Sequence, residues 1–180
     1  CGEGGVVLTN DDDIAKKCYR LKNHGRDTKG IFIHEHIGFN FAFTEMQAAI
    51  GISQMEKLEK IISKKELCYK KYRDELDGVG DIKFFDFNKS IKPVHWFTSI
   101  LTNYKKELSD YLLEKGIQCR FLFYPLNLQP CYKDVITTEG DFKISEQMYK
   151  KGLSLPSSYN LSYEEQNYVI KMIKNFFLKQ

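Results

Sequence analysis

No stretch of this sequence approaches the roughly 20 consecutive apolar residues that a bilayer-spanning helix needs, and its first residues show no basic segment followed by an apolar one. The expectation is a cytoplasmic chain in which neither an anchor nor a leader is visible. The five cysteines, Cys1, Cys18, Cys68, Cys119 and Cys131, form no CxxC pair and leave an odd one over. That pattern speaks against zinc-ribbon and disulfide-scaffold designs and for ordinary thiols in a reducing interior. Long blocks of one charge are missing as well. The 27 Lys and Arg against 24 Asp and Glu leave a formal charge of +3 spread along the chain, without the clustering of a nucleic-acid footprint. The small surplus suits anionic small molecules, or simply a charged soluble surface. No internal repeat or low-complexity tract breaks the pattern.

What is present is enough for a sizeable core: 180 residues, 42% of them hydrophobic. The chain opens on a glycine turn, Gly2-Glu3-Gly4-Gly5, that runs into the strand-like Val6-Val7-Leu8-Thr9. A turn in this place is expected to fold back on something that precedes it, so the chain reads as cut from a larger fold. It is no nucleotide fingerprint, because phosphate loops of the Rossmann and P-loop kinds follow a strand and open a helix. Asn10 to Asp13 then caps a short helix carrying Ile14, Tyr19 and Leu21, stopped at Asn23-His24-Gly25. Arg26 to Ala42 alternates irregularly, with breaks at Gly30 and Gly38 and a possible short strand at Ile31-Phe32-Ile33. Irregular connections of this length are often functional or reach a partner.

Thr44 followed by Gln47 is a capping box, and the apolar residues from Met46 to Leu76 recur at three- and four-residue steps without a proline. One continuous helix over 45–76 is expected, about 48 Å long, bridging two regions. Its front, Met46 to Met55, is apolar almost all round and is expected to be buried on several sides, with Gly51 allowing a close approach. Beyond it, Ile82–Phe87, Val94–Leu101 and Ile117–Phe123 read as strands, and Lys105–Glu114 and Phe142–Lys151 as helices. Leu153-Ser154-Leu155-Pro156 is extended, and a last helix starts at a second capping box, Ser162 with Glu165. Strands separated by helices in this order describe a small α/β unit. The division is 1–44, 45–76 and 77–180.

Few residues announce chemistry by themselves. His34 and His36 would share a face in a strand but lack further ligands at metal-binding spacing, so no metal is expected. Arg120, beside aromatic residues, is either an edge charge or a clamp for a carboxylate or phosphate. Tyr124-Pro125-Leu126-Asn127 puts a hydroxyl and an amide into one loop at a strand end, where ligand sites are frequent, although a proline-anchored turn is the plainer account. Trp96 is expected in the core. No serine, histidine and aspartate set assembles, and no nucleophile is evident.

Several segments together resemble one family. They are Gly2 to Asn10, Arg20-Leu21-Lys22-Asn23-His24-Gly25, the block Gly38 to Gly51, Gly116-Ile117-Gln118-Cys119-Arg120, Tyr124-Pro125-Leu126, and Gly152-Leu153-Ser154-Leu155-Pro156. In this order they are similar to the pyridoxal-phosphate-dependent aminotransferases of nucleotide-linked keto sugars, the DegT/StrS type, nearest in texture to the enzymes that make perosamine. The resemblance covers essentially the whole chain, most specifically Asn40 to Gln54. It implies the C-terminal part of an aspartate-aminotransferase-like (fold type I) enzyme: a small α/β domain joined by the long helix to part of the large cofactor domain.

The resemblance further implies that the aldimine lysine lies upstream of Cys1, so that no catalytic residue is expected within the chain and the chain alone is expected to be inactive. The implied reaction moves an amino group from glutamate to a nucleotide-linked 4-keto-6-deoxy sugar, in a homodimer whose sites sit at the subunit boundary. By position, Asn40 approaches the partner's cofactor phosphate, and His24 and Arg26 border the substrate pocket. Arg120, Tyr124 and Asn127 face sugar or amino donor. Two positions depart from the family pattern: Ala42 stands where a polar or basic side chain is common, and Asn127 where many members carry histidine. Glu146 is read as structural. The alternative is a non-catalytic C-terminal domain that acts by interaction or assembly. If the chain exists alone, Met46, Ile50 and Ile52 are expected to form an exposed apolar face that drives self-association.

Overall fold

Side-chain caps fix where the helices of the N-terminal region begin. In the computed structural model, which describes residues 2–28, 30–132 and 142–179, the chain divides into two compact units, Cys1–Leu58 and Glu59–Gln180. Cys1, the first residue before the expected glycine turn, lies outside the described residues. In the first unit Asp11 caps α1 (Asp12–Lys22), accepting from the amides of Asp13 at 2.8 Å and Ile14 at 3.1 Å. Asp12 and Asp13 in its first turn and Arg20 and Lys22 in its last complement the helix dipole. The expected capping box opens α2 (Glu45–Met55): Gln47 N–H donates to Thr44 Oγ1 at 3.3 Å, and Thr44 N–H to Gln47 Oε1 at 3.0 Å.

Three expectations fail in this unit. Val6–Thr9 and Ile31–Ile33 form no strand, because a strand needs a neighbour to complete its ladder and neither segment has one. The helix expected over 45–76 is two: α2 ends at Met55 and α3 (Leu58–Leu76) starts after a tight turn in which Lys57 N–H donates to Gln54 O, a three-residue step. Nor is the front of that stretch buried in the chain by itself, where Met46, Ile50 and Ile52 form the exposed apolar face expected of the chain alone. Met46, Ile50, Ile52 and Met55 are exposed, and Gly25 is the only buried residue among the described residues of the unit.

The second unit is built around a four-stranded antiparallel sheet of order β1-β2-β4-β3, from β1 (Lys83–Phe84), β2 (Thr98–Leu101), β3 (Arg120–Phe121) and β4 (Gly152–Leu155). Ser99 lies opposite Ser154, and Arg120 meets the same Ser154 from the other side. All four residues of β4 are buried, whereas β2 alternates with Thr98 and Ile100 inward. The helices are α3, α4 (Lys105–Glu114), α5 (Lys143–Lys151) and α6 (Tyr163–Phe177).

Helical spacing supplies the remainder of the core. Leu108 and Leu112 come from α4, Tyr72 and Leu76 from α3, and Val169, Ile170, Ile173 and Phe176 from α6. Two of the buried polar side chains are anchored to backbone: Tyr72 hydroxyl donates to Pro156 O at 2.9 Å, and Gln166 Nε2 to Cys68 O at 2.8 Å. The chain is thus α/β, as expected. Trp96 corrects the sequence reading, being 64% exposed with its ring only 4.4 Å from that of Phe97. The strands are shorter than their apolar runs because only the paired centres of those runs find a neighbour.

Candidate functional site

In the first unit, His24, Arg26 and Asn40 stand on two segments clamped together by backbone. His24 N–H donates to Phe39 O at 3.0 Å, Phe39 N–H to Leu21 O at 2.7 Å, and Asn23 and Asn40 form an antiparallel bridge. The clamp depends on glycine at both contact points. A Cβ on Gly25, whose φ is +76°, would lie 1.7 Å from His36 O, and one on Gly38 would lie 2.0 Å from Gly25 N. His24 itself takes a positive φ of 60°, an unusual conformation for a side-chain-bearing residue.

The half-buried Arg26 is held by its neighbours. Its Nη2 donates to Asn23 Oδ1 at 2.9 Å and its Nε to Asn23 O at 3.4 Å, while the guanidinium sits 5.0 Å from the Phe32 ring centroid. Asn23 Nδ2 is buried and has no hydrogen-bond partner among the described residues. The Asn40 side chain is exposed. Asn23 was not singled out in the sequence, where it reads only as a helix stop.

His34 and His36 share no strand face. His34 Nδ1 lies 2.7 Å from His24 O, whereas His36 groups with Asp27 and Glu35, their ligand atoms within 4.8 Å of one another and all three exposed. Asp27 is already engaged by Arg20, which donates from both Nε and Nη2. That carboxylate therefore serves a guanidinium.

In the second unit, Arg120, Tyr124 and Asn127 follow one another along β3 and the loop after it. Arg120 is exposed, its guanidinium 5.9 Å from the Phe97 ring centroid. Pro125 is buried and begins a 3-10 turn over Leu126–Leu128, so the loop leaves the sheet in a fixed direction. Tyr124 meets the Tyr149 ring edge-on at 5.0 Å. Asn127 Nδ2 donates to Glu146 Oε1 at 2.9 Å, which uses one of its two N–H groups and leaves the carbonyl as the acceptor end of the amide.

Lys105, which sequence inspection passed over, stands between two rings, 4.4 Å from the Phe121 centroid and 4.3 Å from that of Tyr149, and donates to Tyr149 O at 2.6 Å. Burial pulls its pKa below the ordinary lysine value. No local signal joins residues 44 apart. Burial also pushes the Cys119 thiol up to about 12 and raises that of Cys68, which favours the protonated thiol in both.

Residues 1–174 match the DegT/DnrJ/EryC1/StrS aminotransferase family. A GDP-perosamine synthase of Vibrio cholerae is 33% identical over 181 residues, covering 98% of this chain and 49% of that protein. One of Escherichia coli O157:H7 is 31% identical over 179 residues, covering 98% of this chain and 48% of the relative. The crystal structure of a DegT DnrJ EryC1 StrS aminotransferase from Brucella abortus superposes with a TM-score of 0.83 at 25% identity, over 94% of this chain and 45% of that one. The chain spans about half the length of the relatives it matches. On the match over residues 1–174, it belongs to the DegT/DnrJ/EryC1/StrS aminotransferase family.

Proposed function

We propose that the intact protein is a pyridoxal-phosphate-dependent aminotransferase that moves an amino group from glutamate to a nucleotide-linked 4-keto-6-deoxy sugar, as a cytoplasmic homodimer. The observation that carries this reading is the family match over residues 1–174, with sequence relatives named GDP-perosamine synthase. The cofactor-bearing lysine lies upstream of Cys1 in this reading, and the 180 residues alone are inactive.

The residues present fit the cofactor. Asn40 has an exposed carboxamide with no hydrogen-bond partner among the described residues, held in place by the bridge to Asn23. An amide donor of this kind suits the phosphate of a cofactor in the partner subunit. Ala42 adds no donor, so Asn40 carries that contact from this segment. When bound, the cofactor supplies the electron sink for the carbanion formed during amino transfer.

The substrate contacts follow from the side chains. Arg26, with Nε and Nη2 turned to Asn23, keeps Nη1 for an anionic group, and His24 offers an exposed imidazole beside it. In the second unit Arg120 presents a planar fork for carboxylate or phosphate, and Tyr124 a hydroxyl. Asn127, tied to Glu146, offers its carbonyl to a sugar hydroxyl, a role that a histidine would fill differently.

The deciding experiment is amino transfer by the full-length protein from glutamate to a GDP-linked 4-keto-6-deoxy sugar, with the aminated product identified by mass spectrometry. Product formation that is lost in Asn40→Ala and Arg120→Ala supports the reading. A full-length protein that binds no cofactor and makes no aminated sugar refutes it. One observation favours the second reading, a non-catalytic assembly domain: the unit Glu59–Gln180 closes a core of its own.

A further inference from the structure

We infer that the second unit carries an anion site of its own, taking a diphosphate group, in the groove between α3 and the segment that leads into α6. The groove has a volume of about 520 Å³. Lys64, Cys68 and Lys71 stand at helical steps of four and three, so they share the face of α3 that borders it. Ser158, Tyr159 and Tyr163 form the opposite wall.

Its charge is unbalanced. Four lysines, the two above with Lys65 and Lys70, face two carboxylates, Asp74 and Glu75. Glu75 is already paired with Lys174 at 2.6 Å. Lys65 is spent on structure, donating to Trp96 O at 2.9 Å and to Ser157 O at 2.5 Å. Lys64 and Lys71 are not.

The nitrogen of Lys71 is cut off from solvent and has no hydrogen-bond partner among the described residues. It sits 3.1 Å from the centroid of the Tyr163 ring, while Lys64 lies 4.7 Å from that of Tyr159. Sealing an ammonium under a ring offsets only part of its lost hydration. The exposed Tyr163 ring is a cover that an anion can displace, giving Lys71 the acceptors it lacks. Two ammonium groups seven residues apart on one helix face, about 10 Å along its axis, suit an extended anion better than a single carboxylate. Lysine acts towards phosphate as a point charge, and the hydroxyls of Ser158 and the two tyrosines add donors. The inference rests on this groove alone and stands or falls apart from the proposed reaction.

Calorimetric titration of the intact protein with inorganic pyrophosphate at low salt tests it. Saturable binding is expected that the double variant Lys64→Gln/Lys71→Gln weakens about tenfold or more, the equivalent of ~1.4 kcal/mol, and that salt also weakens. A control pair outside the groove, Lys89→Gln/Lys92→Gln, leaves it unchanged, and Lys71→Arg, which keeps the charge, retains it. A nucleoside diphosphate titrated in parallel distinguishes a nucleotide from free diphosphate: tighter binding that still depends on Lys64 and Lys71 assigns the groove to the nucleotide, equal binding to the diphosphate. Absence of saturable binding, equal weakening by the control pair, or a Lys71→Arg variant as weak as the glutamine one overturns the inference.

Discussion

The two units spend their apolar residues in opposite ways. Among the described residues every buried hydrophobic side chain lies in Glu59–Gln180, while Cys1–Leu58 leaves Val6, Leu8, Phe32, Ile37, Met46 and Ile52 mostly exposed and holds its shape by caps and a backbone clamp. Both contain regular helices, so helix formation and core formation are separable here. Caps and dipole complementarity decide where a helix starts. Burial decides whether the element stands by itself, since packing rather than propensity supplies most helical stability.

The largest effect expected from this contrast is on the chain as a whole. Produced alone, it self-associates through α2, and Met46→Glu/Ile50→Lys shifts it towards monomer; a monodisperse wild-type monomer by light scattering would contradict that. Next comes the core of the second unit. Leu112, fully buried, is expected to cost about 2–5 kcal/mol on change to alanine, whereas Ile50→Ala changes stability by no more than ~0.5 kcal/mol, both read from urea unfolding. Equal losses would erase the distinction between the units.

Gly25→Ala is expected to open the clamp at a cost of about 1–3 kcal/mol. Amide exchange at His24 and Phe39 should speed up while the melting of the second unit stays put; a shift in that melting would show that the clamp is not local. Ser162→Ala removes the cap of α6 and is expected to cost ~1 kcal/mol. Thr44→Ala, its counterpart in the first unit, should instead fray α2 without moving the main transition, as followed by circular dichroism.

The smallest effect is one of pH. His95 stacks on Tyr69 with centroids 3.7 Å apart, and burial lowers its pKa, partly opposed by Glu66. The neutral ring is favoured in the folded state, so the unfolded chain takes up the proton first on acidification. Stability is therefore full above the ordinary histidine pKa near ~6.5 and falls as pH drops through it towards the lower folded value. His95→Gln should flatten that slope in melting temperature; an unchanged slope would assign the acid sensitivity elsewhere.

Elements governed by neighbouring residues were legible in the sequence. Lys105–Glu114 stands where its pattern places it, and both capping boxes are formed. Elements governed by distant partners were not. The run 117–123 narrows to Arg120–Phe121 because only that part meets β4, and Val6–Thr9 has no strand to meet at all. The break between α2 and α3 has no local cause, since Glu56 and Lys57 are both good helix formers. In the candidate site, residue types left Arg120 open between an edge charge and a clamp, and only the family resemblance singled out Asn127; the anchoring of Asn127 by Glu146 and the placing of Lys105 between Phe121 and Tyr149 exist only once the chain has folded.

The order of the strands has a consequence for how this unit comes into being. The two inner positions of the sheet belong to β2 and β4, and β4 is the last strand along the chain. As the polypeptide leaves the ribosome, β1 and β2 are able to pair early, but β3 waits without a neighbour until residues 152–155 emerge. The sheet closes late and over long loops, the kind of non-local pairing that slows folding. A pause or truncation before Gly152 would leave two open edges at once, with Arg120 and Phe121 as free ends for the wrong partner.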